Sequence, residues 1–202
     1  HNIFDAGFGR PTTLGHEGTG VIAAAGRDVT HVKEGDHVIV TWVPRTPVIG
    51  SPPRIPAGVT FREQLMPTNI YTWGEHTLAN SQYVVPISKD EPTDTSCIVG
   101  CAVLTGAGAV MNTAKVRPGD SVAVFGVGGV GLSAIRAASI LEAYPIIAVD
   151  LADDKLEFAK EFGATHGVNA SQVNPVEAIL ELTGGGSDYS FDTIGVRVTA
   201  EQ

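Results

Sequence analysis

Cysteine is nearly missing from this sequence, with two residues in 202, Cys97 and Cys101. Two thiols cannot build the disulfide framework of a small secreted domain, and a four-residue spacing on a helix or turn does not favour a bridge. Basic residues are scarce too. Thirteen Lys and Arg stand against 22 Asp and Glu, a formal net charge of −9. That balance offers no basic face for nucleic acid. No apolar run reaches the roughly 18 residues that a membrane-spanning helix needs. Composition therefore implies no nucleic-acid and no membrane partner, and a cytoplasmic setting. Charged residues make up only 17% and hydrophobic residues 43%, which excludes a disordered chain and permits a sizeable core.

What is plentiful is glycine, 24 residues, and proline, 12. Residues 1–102 are rich in Gly, Pro, Thr and Val. "GTGVIAAAG" (18–26), "GDHVIVTW" (35–42) and "SQYVVPI" (81–87) read as strands bounded by turn residues. "VPRTPVIGSPPRIPAG" (43–58) holds five prolines and reads as a long surface loop. This first domain is predicted to be β-rich and barrel-like. From residue 103 the pattern changes. Strands at 121–126, 145–150, near "HGVN" and at 188–194 alternate with helices at 129–141, 152–164 and from Pro175 to Leu182. Such alternation predicts an α/β domain over 103–202, with a parallel sheet covered on both faces.

Between the first of those strands and the helix after it stands "GVGGVG" (126–131). Gly126, Gly128 and Gly131 fit G-x-G-x-x-G, and Asp150 closes the next strand, where such a fingerprint places its acidic residue. The context is that of a dinucleotide cradle. Gly126 permits the tight turn, Gly128 lets a pyrophosphate approach the backbone, and Gly131 lets the helix pack close to the strand. Gly129 and Val130 complete the loop, whose helix N-terminus offers free N–H groups to an anion. A carboxylate at Asp150 suits ribose hydroxyls and repels a 2′-phosphate, so NAD is expected over NADP. Lys155 is placed to reach the same ribose, or to be a solvated helix lysine. The glycines also suit a plain strand–helix turn, and Asp150 an N-cap.

"LGHEGTG" (14–20) sets His16 beside Glu17. "CIVGCAVLTGAGAV" (97–110) sets Cys101 and Thr105 ahead of the glycine loop. In these stretches the chain resembles the zinc-dependent medium-chain alcohol dehydrogenases, over nearly its whole length. The resemblance implies a GroES-like catalytic domain followed by a Rossmann NAD-binding domain. It implies that His16 and Cys101 are two of three protein ligands to one catalytic zinc, a donor set suited to that metal. Zinc would lower the pKa of a bound alcohol. Glu17 resembles a glutamate beside the metal, Thr105 a residue that contacts the nicotinamide, and Trp42 an aromatic wall of the substrate pocket. His1 stands as far ahead of His16 as the proton-relay histidine that relatives often have.

The family's third zinc ligand falls shortly before His1, and a complete dinucleotide sheet has six strands. The sequence is therefore expected to be missing both ends of a longer protein, and the 202 residues alone to be inactive. No cysteine replaces the family's structural-zinc cluster after the "GDHVIV" strand, so no structural zinc is expected. The implied reaction is reversible hydride transfer between an alcohol and NAD, giving an aldehyde or ketone, by a homodimer or homotetramer. The alternatives are a zinc-free quinone or enoyl reductase and a non-catalytic NAD-binding protein. His16 has the further reading of a hydrogen-bonded core histidine, Cys101 of a small buried residue and Trp42 of a packed core side chain.

Overall fold

In the computed structural model, residues 14–46, 60–61, 63–65 and 70–201 are described. The chain divides into two units, His1–Cys101 and Ala102–Gln202.

In the first unit, β1 (Gly18–Val21) pairs antiparallel with β2 (His37–Val40). A short hairpin joins β3 (Thr60–Phe61) to β4 (Gln64–Leu65). The other edge of β2 pairs antiparallel with β5 (Val84–Pro86). Strand β1 is shorter than the 18–26 predicted. Ala23 to Gly26 are exposed and have no bulk to bury, and the chain instead folds back where Gly35 N–H donates to the Ile22 carbonyl. The predicted strand at 81–87 begins as a 3₁₀ turn, Ser81–Tyr83, because the Asn80 side chain caps it by accepting from Gln82 N–H at 3.0 Å.

A helical stretch follows that the sequence marks only as a helix or turn around its two cysteines. It runs through α1 (Thr93–Ser96), a π-helical segment Val99–Val103, α2 (Leu104–Gly108) and a second π-helical segment Ala109–Ala114. Lys115, at φ 57°, ends it.

The second unit is built on β6 (Val122–Phe125), β7 (Ile146–Asp150), β8 (His166–Asn169) and β9 (Tyr189–Asp192). They form one parallel sheet in the order β8-β7-β6-β9. All four side chains of β6 are buried, as a central strand covered on both faces requires. Val122 and Val124 face one side, joined by Ile135 and Ala138 of α3 (Gly129–Ile140) and by Leu156 and Ala159 of α4 (Asp153–Glu161). Ala123 and Phe125 face the other, against Ile179 of α5 (Pro175–Thr183). The first two crossover helices thus share a face and the third takes the opposite one. The strand order reverses between β6 and β9, and in open α/β sheets ligands bind in the crevice at such a point. A short α6 (Arg197–Ala200), not predicted, ends the described chain. Among the described residues no helix is long and apolar enough to cross a membrane.

Candidate functional site

His16 stands on the loop entering β1, and backbone contacts fix that loop. Gly15 has φ 87°, and a Cβ there would fall 2.4 Å from Thr72 Oγ1. Thr72 and Trp73 both donate their N–H groups to the Leu14 carbonyl at 3.1 Å. The Thr72 hydroxyl donates to the Glu17 carbonyl at 2.7 Å. His16 is therefore held from both sides, and its ring is exposed.

Cys101 is fixed from elsewhere. The Thr41 hydroxyl, at the end of β2, donates to the Gly100 carbonyl at 2.6 Å. A Cβ on Gly100 would fall 2.6 Å from the Val40 carbonyl oxygen, so only glycine lets the π-helical turn lie this close to the strand. The Thr19 hydroxyl of β1 donates to Thr93 O at 2.8 Å and fastens α1 to the same sheet.

The two loops meet. His16 Nε2 lies 3.1 Å from Cys101 Sγ, although the two residues are far apart in sequence. The Trp42 ring stands edge-on to the His16 ring, with centroids 6.5 Å apart. His16 is thus exposed and not a core histidine, and Trp42, 52% exposed, is no core side chain. Imidazole nitrogen and thiolate sulfur on one tetrahedral zinc stand about 3.6 Å apart, so a small side-chain adjustment would admit the metal between these donors. The pair suits zinc in chemistry and spacing. Among the described residues no group of three or more His, Cys, Asp or Glu comes together. Glu17 is half-buried on the His16 loop. His1 lies outside the described residues. Cys97 turns away, its thiol donating to the Asp94 carbonyl.

In the second unit each loop glycine has its own geometry. Gly126 adopts φ 88°. Gly128 is the N-cap of α3 with no side-chain cap, and a Cβ there would meet nothing within 4 Å. A Cβ on Gly131 would fall 1.9 Å from the Gly126 carbonyl oxygen. The loop is thus tight at its start, open in its middle and close-packed at its end. Gly129 and Val130 form the first turn of α3. Helix α2 crosses that turn closely, a Cβ on Gly106 falling 2.1 Å from the Val130 carbonyl oxygen, and the residue before it, Thr105, is exposed.

Asp150 ends β7 and reaches back. Its Oδ2 accepts from Val127 N–H at 2.9 Å, and its Oδ1 from Leu151 N–H at 2.8 Å. It does not cap the following helix, whose N-cap is Ala152. Lys155 Nζ stands 3.9 Å from Asp150 Oδ1 and is otherwise exposed. Asp150, Lys155, Gly126 and Gly128 line one cleft of about 480 Å³, whose other walls are mostly apolar, chiefly Leu151, Ile194, Val196 and Val198, with the threonines Thr193 and Thr199 among them. These walls escape a sequence reading. Three of them follow β9, which pairs with β6 from a distant part of the chain, and the usable signal is their place after the strand at the order reversal.

Comparison with known proteins matches this arrangement. Residues 2–89 match the alcohol dehydrogenase GroES-like domain and residues 129–202 the zinc-binding dehydrogenase domain. Together these define a two-domain dehydrogenase class, a GroES-like domain followed by a Rossmann-like one. The chain belongs to the medium-chain dehydrogenase/reductase family. It is 38% identical to S-(hydroxymethyl)glutathione dehydrogenase of Saccharomyces cerevisiae, over 92% of this chain and 55% of that protein. It resembles the crystal structure of benzyl alcohol dehydrogenase from Acinetobacter calcoaceticus with TM-score 0.81 and 32% identity, over 98% of this chain and 61% of that one. An alcohol dehydrogenase zinc-binding domain protein from Burkholderia ambifaria gives TM-score 0.79 and 31% identity, over 98% and 60%. The chain thus spans little more than half the length of the yeast protein.

Proposed function

We propose that the protein is an NAD-dependent zinc alcohol dehydrogenase, interconverting an alcohol with an aldehyde or ketone. The observation that carries this reading is the His16–Cys101 contact, a donor pair assembled from a loop and a π-helical turn that are pinned separately. A zinc-free reductase of the same fold has no use for it, nor has a non-catalytic NAD-binding protein. When bound, zinc acts as a Lewis acid on the alcohol oxygen and NAD accepts the hydride. The chain's own residues would do the rest. His16 and Cys101 would hold the metal, and Trp42, edge-on to His16, would wall the alcohol's site. The open N-terminus of α3 would take the pyrophosphate on its N–H groups. Asp150 would accept from the ribose hydroxyls, with Lys155 beside it. Leu151 and Ile194 would offer apolar surface to the adenine. Thr105 would meet the nicotinamide.

The test is metal content and turnover on one preparation. The full-length protein should hold one zinc per chain and reduce NAD with an alcohol, far more efficiently than NADP. His16→Ala should abolish turnover, by at least about 1000-fold, and leave NAD binding within about twofold. Turnover that survives both His16→Ala and removal of zinc would sink this reading in favour of the zinc-free reductase.

A further inference from the structure

The glycine turn has a support that G-x-G-x-x-G does not specify. Sheet order places β7 and β9 on the two sides of β6, and each sends one side chain to the turn. From β7, the Asp150 carboxylate accepts from Val127 N–H. From the end of β9, the Thr193 hydroxyl lies 2.9 Å from both the Phe125 and the Gly126 carbonyl oxygens, which share its one proton. The Thr193 N–H also donates to Phe125 O at 3.0 Å. Positions that a Cβ would take on Gly126 and on Gly131 each lie 3.1 Å from Thr193 Oγ1. The hydroxyl is therefore wedged where β6, the turn and the first turn of α3 converge. The next residue, Ile194, packs on Gly126 and lines the cleft.

We propose that Thr193 is a positioning residue for the dinucleotide. Its hydroxyl fixes the Gly126 peptide, and so the direction in which the following N–H groups point, while its backbone holds Ile194 as a cleft wall. Valine has nearly the same shape but would leave the Gly126 carbonyl oxygen without this donor, while Phe125 O keeps the Thr193 N–H, and the turn would be freer to rotate. Serine keeps the donor. The proposal rests on the reading of this cleft as the NAD site.

NAD affinity of the full-length protein should be measured by calorimetry, well below the melting midpoint, for wild type, Thr193→Val, Thr193→Ala and Thr193→Ser. One lost hydrogen bond corresponds to a loss of about 3- to 10-fold, expected for the Val and Ala variants, with Ser within about twofold of wild type. Melting curves without ligand, recorded alongside, separate positioning from stability. A merely structural threonine would lower the midpoint and leave the affinity of the folded protein unchanged. Wild-type affinity in either hydroxyl-free variant overturns the proposal, and so does a Ser variant as weak as the Val one. Absence of NAD binding in wild type would overturn the cofactor reading and this proposal with it, an outcome distinct from unchanged affinity among variants of a protein that does bind.

Discussion

The two units hold their chemistry in place by different means. In Ala102–Gln202, fifteen buried residues form one cluster on one face of the sheet and six form another on the opposite face. Among the described residues of His1–Cys101 the buried clusters hold three residues each. The two ends of the glycine loop are accordingly located by packing, since β6 and α3 are set by a close-packed core, and the Asp150 and Thr193 side chains act on the turn that joins them. Among the described residues the His16–Cys101 pair has no such core beneath it. It is located by single hydrogen bonds, from Thr72, Thr41 and Thr19, and by glycines that let backbones touch. Packing spreads its effect over many atoms, whereas a polar tie acts at one point. The first unit should therefore lose its site through small local changes, and the second only through changes that separate its layers.

The largest effect should come from forcing those layers apart. Gly131→Ala puts a methyl 1.9 Å from the Gly126 carbonyl oxygen, and backbone cannot yield as a flexible side chain can. Overpacking of this kind costs about 3 kcal/mol, measurable as a drop in the denaturant midpoint. Gly128→Ala, earlier in the same loop, meets open space and should cost no more than about 1 kcal/mol, the disadvantage of alanine at a helix N-cap. It should still weaken NAD binding, because the methyl occupies the opening proposed for the pyrophosphate. Equal losses of stability in the two variants would show that the loop is not located by packing.

A smaller change of stability, with a larger loss of site, is expected in the first unit. Gly100→Ala would place its methyl 2.6 Å from the Val40 carbonyl oxygen. The π-helical turn has partly exposed residues on both sides and can shift outward, so the cost should be about 1–2 kcal/mol. That shift would carry Cys101 away from His16. Zinc content measured after equilibration at limiting zinc should fall at least about tenfold. A variant retaining full zinc would mean that Cys101 does not depend on the Thr41–Gly100 tie.

The same contrast explains what the sequence makes legible. Gly126, Gly128 and Gly131 can be read because each answers a local need within one strand–turn–helix unit, and Asp150 follows at the end of the next strand. His16 and Cys101 can be paired only through a family resemblance, since they lie in distant segments and nothing local in either segment names the other. The helical run through Ala114 is hidden by its switches between π and α geometry, which blur the helical period. Thr72, Thr193 and Ile194 gain their roles only from contacts that tertiary pairing creates. Strand β1 misleads for a different reason. Ala23–Gly26 continues the run after Val21 but has no bulk to bury, and among the described residues no strand pairs with it.

The smallest expected effect tests a polar tie at the start of β9 in the packed unit. Asp188 precedes β9, and its Oδ2 accepts from the Ser121 hydroxyl at 2.6 Å and from Ser121 N–H at 2.8 Å, while Asp188 N–H donates back to Ser121 Oγ at 2.8 Å. The Ser121 hydroxyl and amide hold the Asp188 carboxyl below its ordinary range. The sign follows directly. A carboxyl that ionises more readily when folded stabilises the fold at pH values above its unfolded-state pKa of about 4, and this contribution is lost as the pH falls through the lower folded-state value. Asp188→Asn should remove that dependence, so the difference in melting midpoint between wild type and variant should be greatest near neutrality and shrink towards about pH 3. The side chain is exposed, so the shift should be small, because water competes for the same bonds. If packing alone aligns β9 beside β6, the two melting curves will coincide at every pH. If the tie matters, they will converge only in acid, and the packed unit will prove to share, at this edge too, the mode of support that governs the other.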